Sequence, residues 1–432
     1  MPTAQHTMSF ADLGLAHWLC DSLQAMRIHT PTDVQTHCIP PILKGRNCIG
    51  GARTGSGKTL AFAGPMLTEW SRDPAALFGV VLTPTRELAV QIHEQLCALG
   101  AQLNIRCALV VGGGDFVQQS LELQGRPHFI VATPGRLAHH IISDTPEAAL
   151  SSLLKRYTRY LVLDEADFLL TPTFASDLAV ILGALPDKTH RRTLLFTATV
   201  TDQVLQLREG DAFVYNAEDD SQLAPGRRQL PDTLTAEYLL VPEHVKEAYL
   251  YHILVSNEFE DSTAVVFVNR TRTAELLRRT LYQLGVRVTS LHSQMPQSER
   301  ANSLHRFRAR AARVLVATDV AARGLDIPQV SLVVNYDVPS DPDTFVHRVG
   351  RTARAGRHGE SVLFVTQRDV DRLHAIETRV ATTIGQFSRV GDTAVIKKSL
   401  TQTSKAKRTA MMAMEREGFG ERRAQQKLRQ AK

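Results

Sequence analysis

The sequence has no run of about 18 apolar residues, the length that a helix needs to span a bilayer, so we expect no membrane segment. Its start, MPTAQHTMSFADLGL, lacks a basic stretch followed by an apolar one, and we also expect no signal peptide. Cysteine is scarce: Cys20, Cys38, Cys48, Cys97 and Cys107 include no CxxC pair and no metal-binding spacing. This pattern favours buried thiols in a reducing compartment over disulfides or structural zinc.

The chain has no net positive charge outside its C-terminal end. The formal net charge is +6, yet residues 397–432 alone hold eleven Lys or Arg against three Glu. Such a basic end is typical of a segment that contacts a polyanion. A solvated tail without a partner explains the same composition equally well.

What the sequence has in abundance is short apolar, β-branched runs with helical patterns between them. The alternation predicts an α/β protein with mostly parallel sheets that are covered by helices on both faces. A polar stretch with two prolines, 216–232, separates two series of runs, so we expect domains at 1–215 and 235–385, a linker at 216–234 and a basic tail at 386–432. The runs are 79–83, 107–111, 128–133, 159–164 and 193–199, then 264–269, 313–318, 331–336 and 361–366.

The segment ARTGSGKT, residues 52–59, resembles a Walker A phosphate-binding loop. Glycines let the backbone N–H groups face a phosphate, and the N-terminus of the following helix adds positive potential. We expect Lys58 to reach the β- and γ-phosphates of ATP and the Thr59 hydroxyl to bind Mg²⁺. A chance glycine-rich turn is the alternative. The other residues of the predicted ATP-binding loop are Ala52, Arg53, Thr54, Gly55, Ser56 and Gly57.

Two further segments complete a predicted hydrolysis site. Asp164 and Glu165 follow the apolar run LVL, so we expect Asp164 to hold Mg²⁺ through water and Glu165 to orient and deprotonate the attacking water. Arg351 and Arg354 are three residues apart and would share one face of a helical turn, as arginine fingers in phosphoryl transfer. An acidic turn and a basic surface patch are the alternatives. Hydrolysis would then require the two domains to close.

With these motifs and others in order, the chain resembles a DEAD-box RNA helicase from about residue 10 to about residue 359. The resemblance implies two tandem RecA-like domains that use ATP and Mg²⁺ to unwind or remodel RNA. The tetrapeptide Asp164-Glu165-Ala166-Asp167 carries it most directly. The other matching segments are PTRELA (84–89), TPGR (133–136), QSER (297–300), ATD (317–319), RGLD (323–326) and HRVGRTARAGR (347–357).

The resemblance also implies roles for single residues. Gln35 would read the adenine edge, Phe10 would stack on the ring and Asp326 would contact the nucleotide. Four residues would couple hydrolysis to RNA binding: Asp167, Thr197, Thr199 and His347. A larger set would grip the RNA sugar–phosphate backbone, independently of base sequence: Pro84, Thr85, Arg86, Gly113, Thr133, Gly135, Arg136, Arg300 and Thr318.

The chain departs from the common family pattern at a few positions. Thr197 stands where serine is usual, and it keeps the hydroxyl that the coupling role needs. Phe168 replaces a polar residue after the tetrapeptide and is expected to pack. Arg27 and Asp33, near Gln35, replace a glycine and often a proline, which changes the local geometry beside the predicted adenine site.

Within the family, VLTPTRELAVQIHEQLCALG, YLLVPEHVKEAYL and EREGFGERR resemble the subgroup that acts in small ribosomal subunit processing. That resemblance implies a nuclear, nucleolar monomer that binds pre-ribosomal RNA and pre-ribosomal particles, with room for a protein cofactor and no role at a membrane. The sequence leaves three activities open, and the first two share every catalytic residue. They are strand separation of short RNA duplexes, an ATP-gated RNA clamp or assembly factor, and a DNA translocase.

Overall fold

The computed structural model describes residues 8–52, 55–143, 150–198, 200–208, 210–217, 230–231, 233–319, 329–353 and 358–419. These residues form two compact units, one up to residue 217 and the other from residue 230 onward. Each unit is built on a parallel sheet of seven strands with helices packed against it, which confirms the α/β class. Among the described helices, none has the length and apolarity to cross a membrane.

The first unit contains seven strands in the spatial order β3-β4-β2-β5-β6-β1-β7. They are β1 Cys48–Gly51, β2 Gly79–Leu82, β3 Cys107–Val110, β4 Phe129–Ala132, β5 Tyr160–Asp164, β6 Arg192–Thr197 and β7 Phe213–Asn216. The helices are α1 His17–Ala25, α2 Asp33–Leu43, α3 Lys58–Arg72, α4 Arg86–Leu99, α5 Phe116–Gln124, α6 Pro134–Ile142, α7 Leu150–Tyr157, α8 Ala166–Leu169, α9 Ala175–Gly183 and α10 Asp202–Gln206.

The second unit repeats this arrangement, with the order β10-β11-β9-β12-β13-β8-β14. Its strands are β8 Leu234–Leu240, β9 Ala264–Val268, β10 Val288–Leu291, β11 Val314–Thr318, β12 Leu332–Asn335, β13 Gly359–Val365 and β14 Gly385–Gln386. The described helices are α11 Lys246–Leu254, α12 Thr271–Gln283, α13 Gln297–Arg308, α14 Pro342–Val349, α15 Val370–Val380, α16 Asp392–Val395 and α17 Thr401–Arg416.

The central strands are buried on both faces, which explains why they appear in the sequence as continuous apolar runs. Within β2, Val80 and Leu82 pack into the core on one side of the sheet, and Val81 packs into the core on the other side. A strand that is covered on both faces needs no alternation of apolar and polar residues. All nine runs that the sequence indicates as strands are strands in the structure.

The sequence did not indicate β1, and its two glycines explain why. A Cβ atom at Gly50 would lie 2.5 Å from the Phe196 ring, and one at Gly51 would lie 2.3 Å from the Val200 side chain. The glycines therefore allow close approach of β1 to its neighbours, at the expense of the β-branched pattern that marks other strands. The strands β7, β8, β10 and β14 were not indicated either.

Neighbouring strands of the first sheet end at the same edge, and this brings the predicted ATP-binding segments together. In the register of the sheet, Gly51 at the end of β1 lies beside Thr197 at the end of β6. Asp164 at the end of β5 lies beside Phe196 of β6. In open parallel sheets ligands bind beyond this carboxyl edge, so the edge is where a site is expected.

The described part of the segment that we expected to be a basic tail is folded onto the second unit. A π-helical turn, Ile396–Leu400, joins α16 to α17, and α17 packs along α12 through one face. The Arg279 guanidinium donates two hydrogen bonds to the Glu417 carboxylate, at 2.8 and 2.6 Å. The buried face of α17 consists of Thr403, Ala406, Ala410 and Met414.

Candidate active site

The loop after β1 turns sharply into the first residue of α3. Gly55 has φ 83° and Gly57 has φ 90°, in the left-handed region that favours glycine. Gly57 also has no room for a side chain, because a Cβ atom there would lie 2.2 Å from the Gln35 amide nitrogen. These two glycines allow the chain to place Lys58 at the N-terminus of α3, where a phosphate is favoured.

Lys58 is buried, with 7% of its surface exposed, although it carries a charge. Its Nζ atom donates to the Ala52 carbonyl oxygen at 2.7 Å, and the Ala52 N–H donates to the Thr197 carbonyl oxygen at 3.0 Å. The hydroxyl of Ser56 in the same loop is buried and has no hydrogen-bond partner among the described residues. Buried donors with few partners favour an anionic ligand such as a phosphate. Thr59 follows Lys58 and is half-buried.

The Gln35 side chain links α2 to the phosphate loop. Its amide nitrogen donates to the Gly57 carbonyl oxygen at 3.0 Å, and its amide oxygen accepts from the Thr32 N–H at 3.0 Å. If Gln35 binds adenine, its amide must therefore give up these two hydrogen bonds or share them with the base. Phe10, expected to stack on the adenine ring, is 4% exposed and packs into the core of the first unit.

Asp164 ends β5, and Glu165, the residue before the short helix α8, has a left-handed backbone with φ 55°. For a residue other than glycine this conformation costs about 1–2 kcal/mol, and such strain clusters at functional sites. Asp164 is 4% exposed, and its Oδ1 atom has no hydrogen-bond partner among the described residues. Burial, followed by the charge of Glu165, raises the pKa of Asp164 to about 7, while Lys58 opposes this shift.

This arrangement fits a hydrated Mg²⁺ ion. The partnerless oxygen of Asp164 is the kind of ligand that Mg²⁺ takes, and a cation would relieve the burial of a charged carboxylate. The described residues contain no cluster of three or more His, Cys, Asp or Glu that could hold a metal alone. Mg²⁺ typically keeps several waters and binds through one or two protein oxygens plus phosphates, so a sparse site is what it requires.

Two of the predicted coupling residues also lie at this edge. Thr197 ends β6 and is fully buried, and its carbonyl oxygen is the group that accepts from Ala52. Asp167 follows on α8, where its Oδ1 atom accepts from the Phe168 N–H at 3.0 Å. The Phe168 ring packs edge-on against Phe174 with the centroids 5.6 Å apart, which confirms that Phe168 packs.

Three of the predicted RNA-contact residues, from separate motifs, meet at the loop Gly112–Gly114 after β3. A Cβ atom at Gly113 would lie 2.3 Å from Nη1 of Arg86, so the arginine covers the glycine closely. From the other side, Nη2 of Arg136 donates to the Gly114 carbonyl oxygen at 3.3 Å. The fold thus gathers two guanidinium groups and an exposed left-handed glycine, Gly113, with φ 82°.

The remaining predicted RNA-contact residues of the first unit lie at helix starts near this loop. Thr85 precedes α4, and its hydroxyl accepts from the Leu88 N–H at 3.4 Å. Thr133 precedes α6, and its N–H donates to the carbonyl oxygen of Val110, at the end of β3, at 3.1 Å. The other two are Pro84, which is half-buried, and Gly135, in the first turn of α6.

Arg348, which sequence reasoning did not single out, is the largest fully buried side chain of the described residues, with 1% exposed. Its Nε and Nη2 atoms donate to the Asp319 carboxylate at 2.6 and 2.8 Å. Nη2 also donates to the Asn269 amide oxygen at 2.7 Å, and Nη1 donates to the Asp337 carbonyl oxygen at 2.6 Å. Arg348 therefore joins the ends of β9, β11 and β12 and braces the carboxyl edge of the second sheet.

The helical spacing that we expected for the predicted arginine fingers is wrong for Arg351. The helix α14 ends at Val349, and Gly350 caps it, so Arg351 lies in the turn that follows. Ala353 then has φ 52°, a left-handed conformation that an α-helix cannot contain. Arg351 is 2% exposed, and its carbonyl oxygen accepts from the Val330 N–H at 3.3 Å.

The other described predicted residues of the second unit lie on three different elements. Thr318 is the last residue of β11 and directly precedes Asp319, the partner of Arg348. His347 is half-buried on α14, one residue before Arg348. Arg300 is buried on α13. Five predicted site residues lie outside the described residues: Arg53, Thr54, Thr199, Asp326 and Arg354.

Comparisons with known proteins identify the family. The model of the DEAD/DEAH box helicase family matches residues 32–207, and the model of the helicase conserved C-terminal domain matches residues 245–356. The chain is 62% identical to the ATP-dependent RNA helicase DBP8 of Candida glabrata over 98% of its own length and 97% of that protein. It is 61% identical to DBP8 of Saccharomyces cerevisiae, again over 98% of its length and 97% of that protein. The chain therefore belongs to the DEAD/DEAH box helicase family.

Solved structures of the same kind agree in fold. The chain is 26% identical to Mss116p bound to single-stranded RNA and AMP-PNP, with a TM-score of 0.80 over 93% of this chain and 83% of that one. It is 28% identical to S. cerevisiae Dbp5 bound to RNA and ADP BeF3, with a TM-score of 0.75 over 94% of this chain and 99% of that one. These matches confirm the tandem RecA-like architecture that the ordered motifs implied.

Proposed function

We propose that this protein is an ATP-dependent RNA helicase that hydrolyses ATP to ADP and phosphate and uses the cycle to separate or remodel RNA. One observation carries the proposal furthest. The buried carboxylate oxygen of Asp164 has no partner among the described residues, and it lies beside the strained Glu165, at the sheet edge that also holds the phosphate loop. Family membership and RNA-bound relatives support RNA as the other substrate.

The phosphate loop holds the triphosphate in this proposal. The Lys58 ammonium leaves the Ala52 carbonyl oxygen, its present partner at 2.7 Å, and binds the β- and γ-phosphates. The Thr59 hydroxyl and Asp164, the latter largely through water, hold Mg²⁺. The ion neutralises charge on the phosphate oxygens when it is bound. The backbone of Ala52, Arg53, Thr54, Gly55, Ser56 and Gly57 surrounds the phosphates.

Glu165 orients the attacking water and accepts its proton. Its left-handed backbone turns the residue after β5 away from the strand direction, which separates its role from that of Asp164. In the second unit, Arg351 and Arg354 stabilise the charge that develops on the transferred phosphoryl group, and Asp326 contacts the nucleotide. The roles of Arg351, Arg354 and Asp326 rest on the match to family motifs.

Adenine specificity is assigned to Gln35. A single amide can donate to one ring atom and accept from the exocyclic amine, which fits adenine and not guanine. In the structure the same amide holds the phosphate loop through Gly57, so adenine binding and loop position depend on one side chain. Phe10 completes the adenine site by stacking, which requires its buried ring to open one face.

RNA is gripped through its sugar–phosphate backbone. Arg86 and Arg136, held around the Gly112–Gly114 loop, supply positive charge on the first unit. The rest of the proposed surface is Pro84, Thr85, Gly113, Thr133, Gly135, Arg300 and Thr318. Coupling to hydrolysis is assigned to Asp167, Thr197, Thr199 and His347. Of these, Thr197 contacts the phosphate loop directly, because its carbonyl oxygen accepts a hydrogen bond from the Ala52 N–H.

The natural RNA is proposed to be pre-ribosomal RNA in pre-ribosomal particles, with the protein acting in the nucleolus. The segments that resemble the small-subunit processing subgroup support this proposal, and so does the near full-length similarity to DBP8 helicases. Crosslinking the protein to RNA in cells and sequencing the bound RNA tests it. Enrichment of small-subunit precursor RNA is expected, and enrichment of messenger RNA alone would contradict it.

The activity itself is tested by ATP hydrolysis with and without RNA. RNA should stimulate turnover more than DNA of equal sequence, and Lys58→Ala should weaken nucleotide binding and turnover together. Displacement of a short RNA strand, measured with ATP and with a non-hydrolysable analogue, separates a helicase from an ATP-gated clamp. Displacement with ATP supports the proposal, whereas long RNA residence without displacement contradicts it.

A further inference from the structure

An aromatic side chain lies beside one of the two guanidinium groups at the Gly112–Gly114 loop. Phe116 is the first residue of α5, two residues after this loop ends, and it is half-buried. The guanidinium carbon of Arg136 lies over its ring, 5.7 Å from the centroid. A guanidinium within about 6 Å of the centre of an aromatic ring is attracted by the negative face of that ring. Arg136 therefore has an attractive partner besides the Gly114 carbonyl oxygen, which accepts from it at 3.3 Å.

The Phe116 ring is itself held in place from α6. The imidazole ring of His140 is parallel to it, with the centroids 4.1 Å apart and 1° between the planes. His140 is 5% exposed, and its two ring nitrogens lie 3.3 Å from the Ser120 hydroxyl and 3.3 Å from the Gln119 amide oxygen. A buried polar group that is held at both nitrogens is rigid, so the ring that stacks on it is fixed as well.

Gln119 connects this stack to the loop that supplies the other partner of Arg136. Its side chain is buried, and its amide nitrogen donates to the carbonyl oxygen of Val111, just before the loop, at 2.9 Å. A Cβ atom at Gly114 would lie 2.6 Å from the same nitrogen, so the loop backbone is in close contact with Gln119. The ring and the carbonyl oxygen that contact Arg136 are therefore fixed by one buried network.

A side chain that is held in place before its ligand arrives loses less conformational entropy on binding. Arginine is long and flexible, and contacts that order it beforehand reduce the cost of ordering it on a phosphate. An aromatic ring holds the flat face of the guanidinium, whereas a phosphate binds the N–H groups at its edge. The bond to Gly114 uses a single N–H of this edge, which carries several more. Phe116 is therefore suited to hold Arg136 without blocking it.

We propose that Phe116 is a positioning residue for RNA binding: its ring, fixed by His140, holds the Arg136 guanidinium where it binds a phosphate of the RNA backbone. The inference deepens the proposed function and rests on it, because it needs Arg136 to contact RNA. It assigns no contact with RNA to Phe116 itself. Simple packing of α5 against α6 is the alternative role for Phe116, and that role predicts no dependence on Arg136.

RNA-stimulated ATP hydrolysis by the full-length protein, measured against RNA concentration, tests the proposal. Phe116→Leu keeps an apolar side chain beside His140 but removes the aromatic face. The RNA concentration for half-maximal stimulation should rise about threefold, while turnover at saturating RNA and the KM for ATP stay unchanged. Phe116→Tyr keeps the ring and should retain the original value. Leu121→Ala, at an exposed position of the same helix, is the matched control and should have no effect. An unchanged value for Phe116→Leu overturns the proposal.

A double-mutant cycle shows whether Phe116 acts through Arg136. Arg136→Ala removes the charge and should raise the half-maximal RNA concentration about tenfold. In that background Phe116→Leu should have no further effect, because the group that the ring holds is gone. A further rise in the double variant means that Phe116 acts independently, and it contradicts this inference alone. If RNA does not stimulate the unchanged protein, the proposed function fails and the inference fails with it.

Chemical modification provides a second readout, which needs no RNA. Phenylglyoxal modifies accessible guanidinium groups, and peptide mass spectrometry gives the rate at Arg136. We expect this rate to rise about threefold in Phe116→Leu and to stay unchanged in Phe116→Tyr and Leu121→Ala. Melting curves followed by circular dichroism verify that each variant is folded, and Phe116→Met replaces Phe116→Leu if the latter unfolds below the assay temperature. An equal rate at Arg136 with and without the ring overturns the proposal.

Discussion

The two sheets share one strand order but treat the end of the fifth strand differently. In the first unit that strand is β5, which ends at Asp164 with a buried carboxylate oxygen that has no hydrogen-bond partner among the described residues. In the second unit it is β12, which ends at Asn335. The Asn335 amide accepts from Arg348 at 3.4 Å and donates to the Ser361 hydroxyl at 3.3 Å. One edge keeps an unsatisfied charge, and the other is filled by an arginine of its own chain.

This difference separates a site that is prepared for a ligand from one that is complete in itself. A buried polar atom without a partner costs free energy, so its presence calls for an explanation such as a bound ion. Arg348, with partners on three strand ends, has none of that cost and stabilises the second sheet. The fold places polar groups at both edges, and only the edge of the first sheet leaves one of them without a hydrogen-bond partner among the described residues.

The largest effect should come from a substitution at the carboxyl edge of the first sheet, and it should appear in ATP turnover. Glu165→Gln keeps the shape of the side chain but removes the group that accepts the proton of water. RNA-stimulated ATP turnover should fall by about 10²–10⁴-fold, while ATP binding, measured by the fluorescence of a labelled nucleotide, stays within a factor of two or so. Turnover close to that of the unchanged protein would falsify the role of Glu165.

A substitution at the carboxyl edge of the second sheet should lower the stability of the protein. Arg348→Leu leaves the Asp319 carboxylate and three further acceptors, on Asn269, Asn335 and Asp337, without their donor, so the free energy of unfolding should fall by about 3–5 kcal/mol. Denaturant unfolding followed by circular dichroism measures this. The matched control is Arg368→Leu, because Arg368 is 87% exposed and lies 3.8 Å from Glu243. Arg368→Leu should lower the free energy of unfolding by about 0–1 kcal/mol. An equal decrease for the two variants would contradict the stabilising role of Arg348.

The phosphate loop can be compared with a turn of the second unit that also contains a glycine with a left-handed φ. Gly57 and Gly285 have φ 90° and 82°, but only at Gly57 would a Cβ atom meet another group within 4 Å. Gly57→Ala should weaken ATP binding by about tenfold, since left-handed alanine costs about 1–2 kcal/mol and the Gln35 amide must move. Gly285→Ala should lower stability by about 1 kcal/mol and leave the ATP dissociation constant unchanged. Calorimetric titration with ATP distinguishes the two outcomes.

The smallest effect is expected from a substitution that makes the end of β5 resemble the end of β12, where an asparagine stands. Asp164→Asn should stabilise the protein free of Mg²⁺ and nucleotide by about 1 kcal/mol at about pH 8. The sign follows from the raised pKa of Asp164: its burial cost is fully present above about pH 7 and absent below the ordinary carboxyl pKa. Near pH 4 the two proteins should therefore be almost equally stable. Melting curves at the two pH values measure the difference, and a loss of stability at the higher pH would count against the unsatisfied charge.

Most of the sheet architecture could be predicted from sequence, because doubly covered strands leave continuous apolar runs. The run RYLVLD marks β5, and AVVFVN marks β9. Strands that depend on close approach leave no such run, as Gly50 and Gly51 of β1 demonstrate. The docking of α17 was equally hidden, since its buried face includes small residues such as Ala406 and Ala410.

The candidate site was predictable where one short segment contains its own chemistry, as in the phosphate loop and the Asp164-Glu165 pair. Arg348 was not, because its partners come from three strand ends that are distant in sequence. The signal was present: Asn269, Asp319 and Asp337 each follow an apolar run, and converging acceptors require a cation. Arg348 binds these acceptors because α14 ends at Val349, which leaves Arg351 outside the helix. The spacing of the charges in the sequence does not reveal where this helix ends.

The strand order of the second unit has a practical consequence for anyone who divides this chain. The segment that matches the C-terminal helicase model, 245–356, contains only four strands of that seven-stranded sheet. A fragment with those ends would lack β8, β13 and β14 and expose the edge of β12, and without α17 it would also uncover an apolar side of α12. Exposed edges of this kind pair with other chains, so such a fragment should aggregate. The smallest piece of the second unit that can be expected to stay in solution extends from β8 through α17.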